Sequence, residues 1–207
     1  LLHDARRAGR ETSAGDIVLL EEQDRMLWDR AQIEEGLRLV EDALRVPGRP
    51  QPYAVQAAIA ALHARAPSFA QTDWPQIAGL YEVLLRIGPS PVIELNHAAA
   101  LSMVDGPARA LDLVDAISAR GGLRGYELLP AVRADLLRRL GRAAEGREAY
   151  RAPAGATQLA PLRRVYARRG GGVGEGGLCP RAPGAHLSPG GGGRGAPLSP
   201  GGVSHTR

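Results

Sequence analysis

A chain of 207 residues with 26 arginines, no lysine and 22 acidic residues carries a formal net charge of +4. It is long enough for one domain with a sizeable core. Its one cysteine, Cys179, excludes an internal disulfide framework, and no apolar run reaches the length of a membrane-spanning helix. No secretory signal opens the chain, so a soluble cytoplasmic protein is expected. The charge is unevenly placed: residues 1–151 hold 19 Arg against 21 Asp and Glu, whereas residues 152–207 hold 7 Arg and only Glu175. The basic excess therefore belongs to the tail and marks no nucleic-acid face on the body. The exclusive use of Arg reads as GC-rich coding, not as selection for bidentate contacts.

The chain opens on Leu1-Leu2-His3-Asp4-Ala5-Arg6-Arg7, which reads as the last turns of a helix begun upstream. A fragment is therefore expected. Gly9 to Gly15 carries loop signals, Asp16 is placed to cap the next element, and Ile17 to Leu20 is a short apolar run, extended or helical. From Glu21 to Val46 the pattern predicts one helix, with Met26/Leu27, Ile33, Leu37, Val40 and Ala43/Leu44 on its apolar stripe. The prolines of Pro47-Gly48-Arg49-Pro50-Gln51-Pro52 break it. An alanine-rich helix is predicted over Tyr53 to Ala66, with small residues on both faces suited to close packing. Asp73 or Thr72 caps the next helix, whose first turn takes Pro75 without losing a hydrogen bond. Gly88-Pro89-Ser90-Pro91 closes it. Further helices are predicted over Val92–Met103, Ala108–Ala119, Tyr126–Leu140 and Arg142 to about Arg151, the last two hinged at Gly141. The total is seven or eight helices and no convincing strand.

From Ala152 the composition changes. Residues 152–207 hold 15 of the 27 glycines and 7 of the 16 prolines, with two copies of Leu-Ser-Pro-Gly. Such a stretch cannot bury enough apolar surface to offset its ordering entropy. Residues 163–169 are read as at most a brief helical extension, and Gly170 onward as disordered. A shifted reading frame after about Arg151 accounts for the abrupt change. It would leave the last repeat without a capping helix and Leu136, Leu137 and Leu140 exposed.

The run Asp73-Trp74-Pro75-Gln76-Ile77-Ala78-Gly79-Leu80-Tyr81-Glu82-Val83-Leu84-Leu85 resembles the second helix of a tetratricopeptide-type repeat. Related patterns return in Ala110–Ile117 and near Glu145–Tyr150, close to the helix–turn–helix period of that repeat. The fold class expected is all-α: a tetratricopeptide-like helical-hairpin array over residues 16–151, preceded by a linker (1–15) and followed by a disordered Gly/Pro/Arg-rich tail (152–207). Arrays of this kind stack their units and offer an extended surface to a partner, which favours binding over chemistry. Catalytic, cofactor and metal constellations are absent from the pattern: His3, His63, His97, His186 and His205 stand apart, and the glycine-rich tail lacks the Gly-Lys-Ser/Thr of a phosphate loop.

Seven residues are candidates for partner binding. Asp24, Arg25, Trp28 and Asp29 form the most unusual local cluster, either a partner site or a structural anchor between the first helix pair and the repeats, the anchor being favoured. Gln56, His63 and Asn96 fall on the first helices of pairs, which line the concave face of such arrays.

The whole pattern resembles the C-terminal extension of a subgroup of bacterial extracytoplasmic-function sigma factors. The blocks that carry the resemblance are Leu1–Arg7, Gly15-Asp16-Ile17-Val18-Leu19-Leu20-Glu21-Glu22-Gln23-Asp24-Arg25 running into Trp28-Asp29-Arg30, Gln56–Ala64, Thr72–Tyr81, Ser90-Pro91-Val92 with Leu95-Asn96, Asp105-Gly106-Pro107, and Arg133–Arg142. The resemblance implies a regulatory protein-interaction module that modulates transcription initiation. Core RNA polymerase and promoter DNA would be bound through sigma domains that have no counterpart in these residues. It further implies an intramolecular or protein partner on the repeat surface, such as small stress-related proteins encoded nearby. The alternative is a stand-alone repeat scaffold unrelated to transcription, with an enzyme a distant third.

Overall fold

The computed structural model describes residues 1–156 and 160–171. Among them run eight α-helices: α1 Arg30–Arg45, α2 Pro52–Arg65, α3 Trp74–Ile87, α4 Pro91–Val104, α5 Pro107–Ala119, α6 Leu128–Arg139, α7 Ala143–Ala156 and α8 Ala160–Gly171. Two single 3-10 turns, Arg7–Gly9 and Arg25–Leu27, precede them. No strand occurs among the described residues; one isolated antiparallel bridge joins Glu11 to Ile17. Each helix packs on the next in sequence, and α4 against α6 is the one substantial helix contact that skips a neighbour among the described residues. That is the contact order of a tetratricopeptide-like array of helical hairpins.

The helix starts are written locally. Asp73 accepts the Gln76 N–H at 3.0 Å and Asp29 accepts the Gln32 N–H at 3.0 Å, each satisfying a donor that the first turn leaves free. Pro52, Pro91 and Pro107 open α2, α4 and α5, where the missing N–H costs nothing. At the turn between α6 and α7, Gly141 takes φ +76°, a left-handed stop suited to glycine. A few residues on, Gly146 lets α7 approach α6 closely: a Cβ there would lie 3.2 Å from the Ala134 carbonyl oxygen.

The core falls into successive apolar clusters along the array. Val55, Ile59, Leu62, Trp74, Ile77, Tyr81, Leu84 and Ile93 unite α2, α3 and α4, while Leu95, Leu111, Val114, Val132, Leu136 and Leu137 unite α4, α5 and α6. Residues 58 to 64 of α2 are all buried, because the helix is covered on one side by α1 and on the other by α3. Alanine on both faces permits that close approach.

Four expectations are corrected. Residues 2–6 form turns that lead into the 3-10 turn at Arg7, not the end of an α-helix. The helix expected from Glu21 begins only at Arg30, because Asp24 caps a 3-10 turn and Asp29 caps α1. Met26 therefore stands 83 % exposed and Leu27 and Leu44 are also on the surface, while Ile33 and Val40 alone of the expected stripe are fully buried. Helical structure also runs past residue 151, through the end of α7 and all of α8. Val165 and Tyr166 of α8 are buried, and the Tyr166 ring lies 6.3 Å from that of Tyr150. Finally, Leu136 and Leu137 are fully buried and Leu140 is half-buried, because they face α4 and α5, not the open end. The disorder expected beyond Gly171, with Cys179, His186 and His205, lies outside the described residues.

Candidate interaction site

The segment before α1 docks on the end of α2 through the cluster that the sequence singles out. Asp24 accepts the Met26 N–H at 2.8 Å, which tightens the 3-10 turn, turns Met26 and Leu27 outward and sends Arg25 inward. Arg25 Nη1 donates to the carbonyl oxygens of His63 and Ala66, both at 2.6 Å. These belong to the C-terminal turn of α2, where carbonyls lack helical partners and the helix dipole favours a cation. The Arg25 guanidinium lies 4.5 Å from the centre of the Trp28 ring, with that of Arg6 at 5.6 Å; cation–π attraction adds to the packing. Trp28 itself is only 3 % exposed.

Close packing fixes this arrangement. A Cβ on Gly9 would stand 3.0 Å from Trp28 Nε1, and one on Gly36 would stand 2.7 Å from a Leu2 side-chain carbon. The Asp29 N–H donates to the Ala5 carbonyl at 2.8 Å, tying the opening turns to the start of α1. Leu2, Ala5, Trp28, Ile33 and Val40 then form one apolar cluster with Ala58, Ala60, Ala61 and Ala64 of α2.

His63 sits under this lock, edge-on to Trp74 at 5.2 Å. Burial, followed by the positive charges of Arg6, Arg25 and His3, pushes its imidazole down to about 3. It is a neutral packing residue at physiological pH. Burial also lowers Arg25, with Arg30 adding a smaller push in the same direction; the two carbonyl oxygens supply the acceptors that water would otherwise provide.

The seven predicted residues thus divide. Arg25, Trp28 and the His63 backbone meet in one lock, with Asp24 and Asp29 as the caps that flank it. Gln56 is half-buried on α2, and Asn96 is buried on α4. The expectation that His63 and Asn96 face an open concave surface is corrected: α2 and α4 are covered on both sides. Arg25 turns inward and donates to helix carbonyls, as the anchor reading requires. Sequence reasoning missed Arg6, and it missed Glu21, Glu22 and Asp16, which pair with arginines of α8. The acidic pair Glu21-Glu22 against the arginines of residues 163–169 was the available signal. Among the described residues no group of three or more His, Cys, Asp and Glu is placed to hold a metal ion, and no helix is long and apolar enough to cross a membrane.

A family of unknown function (DUF6596) matches residues 1–44, the stretch that builds the lock and α1. An uncharacterized protein of Rhizobium meliloti (strain 1021) is 49 % identical over 150 residues, covering 72 % of this chain and 35 % of the relative. The chain therefore spans about a third of the length of the curated relative it matches. No solved structure matches the chain.

Proposed function

We propose that this chain is a regulatory, protein-binding helical-repeat module of an alternative sigma factor. Its role is to control how sigma domains engage RNA polymerase, through intramolecular contact or through a protein partner. The observation that carries the reading is the lock. Asp24, Arg25, Trp28 and Asp29, within the block on which the resemblance to extracytoplasmic-function sigma factors rests, join the segment before α1 to the start of α1 and the end of α2. A domain attached upstream would thereby be held in a fixed relation to the repeat surface, as a regulator needs. The length of the Rhizobium meliloti relative, nearly three times the matched stretch, leaves room for such domains in a related protein.

The test is to read the coding DNA upstream of the Leu1 codon. The proposal expects an in-frame continuation encoding a basic helix-turn-helix. A start codon immediately before Leu1 would contradict it and favour a stand-alone scaffold.

A further inference from the structure

The segment from Gly15 to Asp24 touches both ends of the array. Leu20 packs against the α1/α2 cluster. The acidic residues of the segment meet α8, whose own neighbour in the array is α7. Arg164 Nε donates to Asp16 and its Nη2 to the Gly15 carbonyl at 3.4 Å; Arg168 donates to Glu22 at 3.1 Å; Arg169 donates to Glu21 and, at 3.3 Å, to Glu22. Some 147 residues of sequence separate the partners.

We propose that the arginine face of α8 is a docking surface for acidic polypeptide segments, occupied in this chain by its own residues 15–22. The surface pairs three guanidinium groups with carboxylates and one backbone carbonyl, the recognition that suits arginine to acidic peptides. Two features make the bound segment displaceable. The Asp16–Arg164 and Glu22–Arg168 pairs are each more than a third exposed, so water and salt screen them. The Glu21–Arg169 pair is desolvated, 7 % and 9 % exposed, and its attraction is offset by the loss of hydration. The segment forms no helix or strand, and its backbone bonds are those of turns and one short bridge, so little regular structure is lost when it lifts. A partner with its own acidic run takes the same face, and the segment over residues 15–22 is released as it binds.

A fluorescein-labelled peptide of residues 11–24, titrated into the full chain, tests this. Asp16→Asn with Glu22→Gln removes two partly exposed carboxylates of the internal occupant, and the peptide is expected to bind that variant about ten-fold more tightly than the unaltered chain. Adding Arg164→Glu and Arg168→Glu is expected to abolish the gain. Equal affinity for the unaltered and double-variant chains would overturn the proposal, as would indifference to the arginine reversals. Displacement of the peptide by a single-stranded oligonucleotide as readily as by unlabelled peptide would instead mark a nucleic-acid surface, and would overturn it too. Hydrogen exchange on the unaltered chain gives an independent reading. Amides 11–24 are expected to lose protection between about 0.05 and about 0.5 M salt while α2 and α3 do not; unchanged protection would contradict the proposal.

Discussion

The segment before α1 is fastened at two places, both by arginine, and the acceptors differ. At α2, Arg25 gives its hydrogens to two neutral carbonyls at a helix end, sealed by Trp28. At α8, Arg164, Arg168 and Arg169 give theirs to carboxylates, mostly at the margin of solvent. A neutral carbonyl carries no charge for salt to screen, and Trp28 keeps water from this pair, so the first attachment is geometric and little affected by salt. A carboxylate regains full hydration when released, so the second is electrostatic and reversible. One joint holds the chain together; the other is free to open.

The contrast breaks most sharply at Trp28. Trp28→Ala removes the largest buried group of the lock and is expected to cost about 3–5 kcal/mol by urea unfolding. A loss below about 1 kcal/mol would mean that the lock is not part of the cooperative core. Next comes Arg25→Ala, which strands the His63 and Ala66 carbonyls and is expected to cost about 1–3 kcal/mol, with little change on adding salt.

His63 sharpens the same joint through pH. Unfolded, its imidazole takes up a proton near 6.5; folded, it refuses one until about 3. Its contribution is therefore complete above about pH 6.5 and lost as pH falls through the window between those values, at about 1.4 kcal/mol per unit. About 2 kcal/mol should be gone at pH 5, and urea midpoints of His63→Gln measured across that window should fall less steeply. The smallest effect belongs to the other joint. Arg164→Gln is expected to cost at most about 0.5–1 kcal/mol at low ionic strength and nothing measurable in high salt; a salt-independent loss would erase the distinction.

Much of the array was legible because its signals are local. Asp73-Trp74-Pro75 announces the start of α3, prolines in the first turn mark α2 to α5, and Gly121-Gly122 and Gly141 set off α6 and α7. The misreadings arose where local signals compete or where the deciding partner is distant. Residues 21–29 carry helical composition, but Asp24 and Asp29 each cap a separate turn, and the capping pattern outranks the apolar stripe. Residues 160–171 look like linker, yet Val165 and Tyr166 find Tyr150, and the arginines find acids near the other end of the chain. His63 and Asn96 sit on helices covered on both faces; the alanines of α2 hinted at that enclosure, but a helix position alone does not. Trp28 was legible as an anchor because a large aromatic beside Arg and Asp has few ways to be buried.

Binding decides whether the proposed module engages the transcription machinery. The full 207-residue chain is titrated by calorimetry against core RNA polymerase and, separately, against the sigma domains of a related full-length sigma factor. Saturable binding to one of them, with Kd at about 10 μM or tighter, is expected. No heat with either at concentrations well above that value would contradict it and leave a helical-repeat scaffold without a role in transcription.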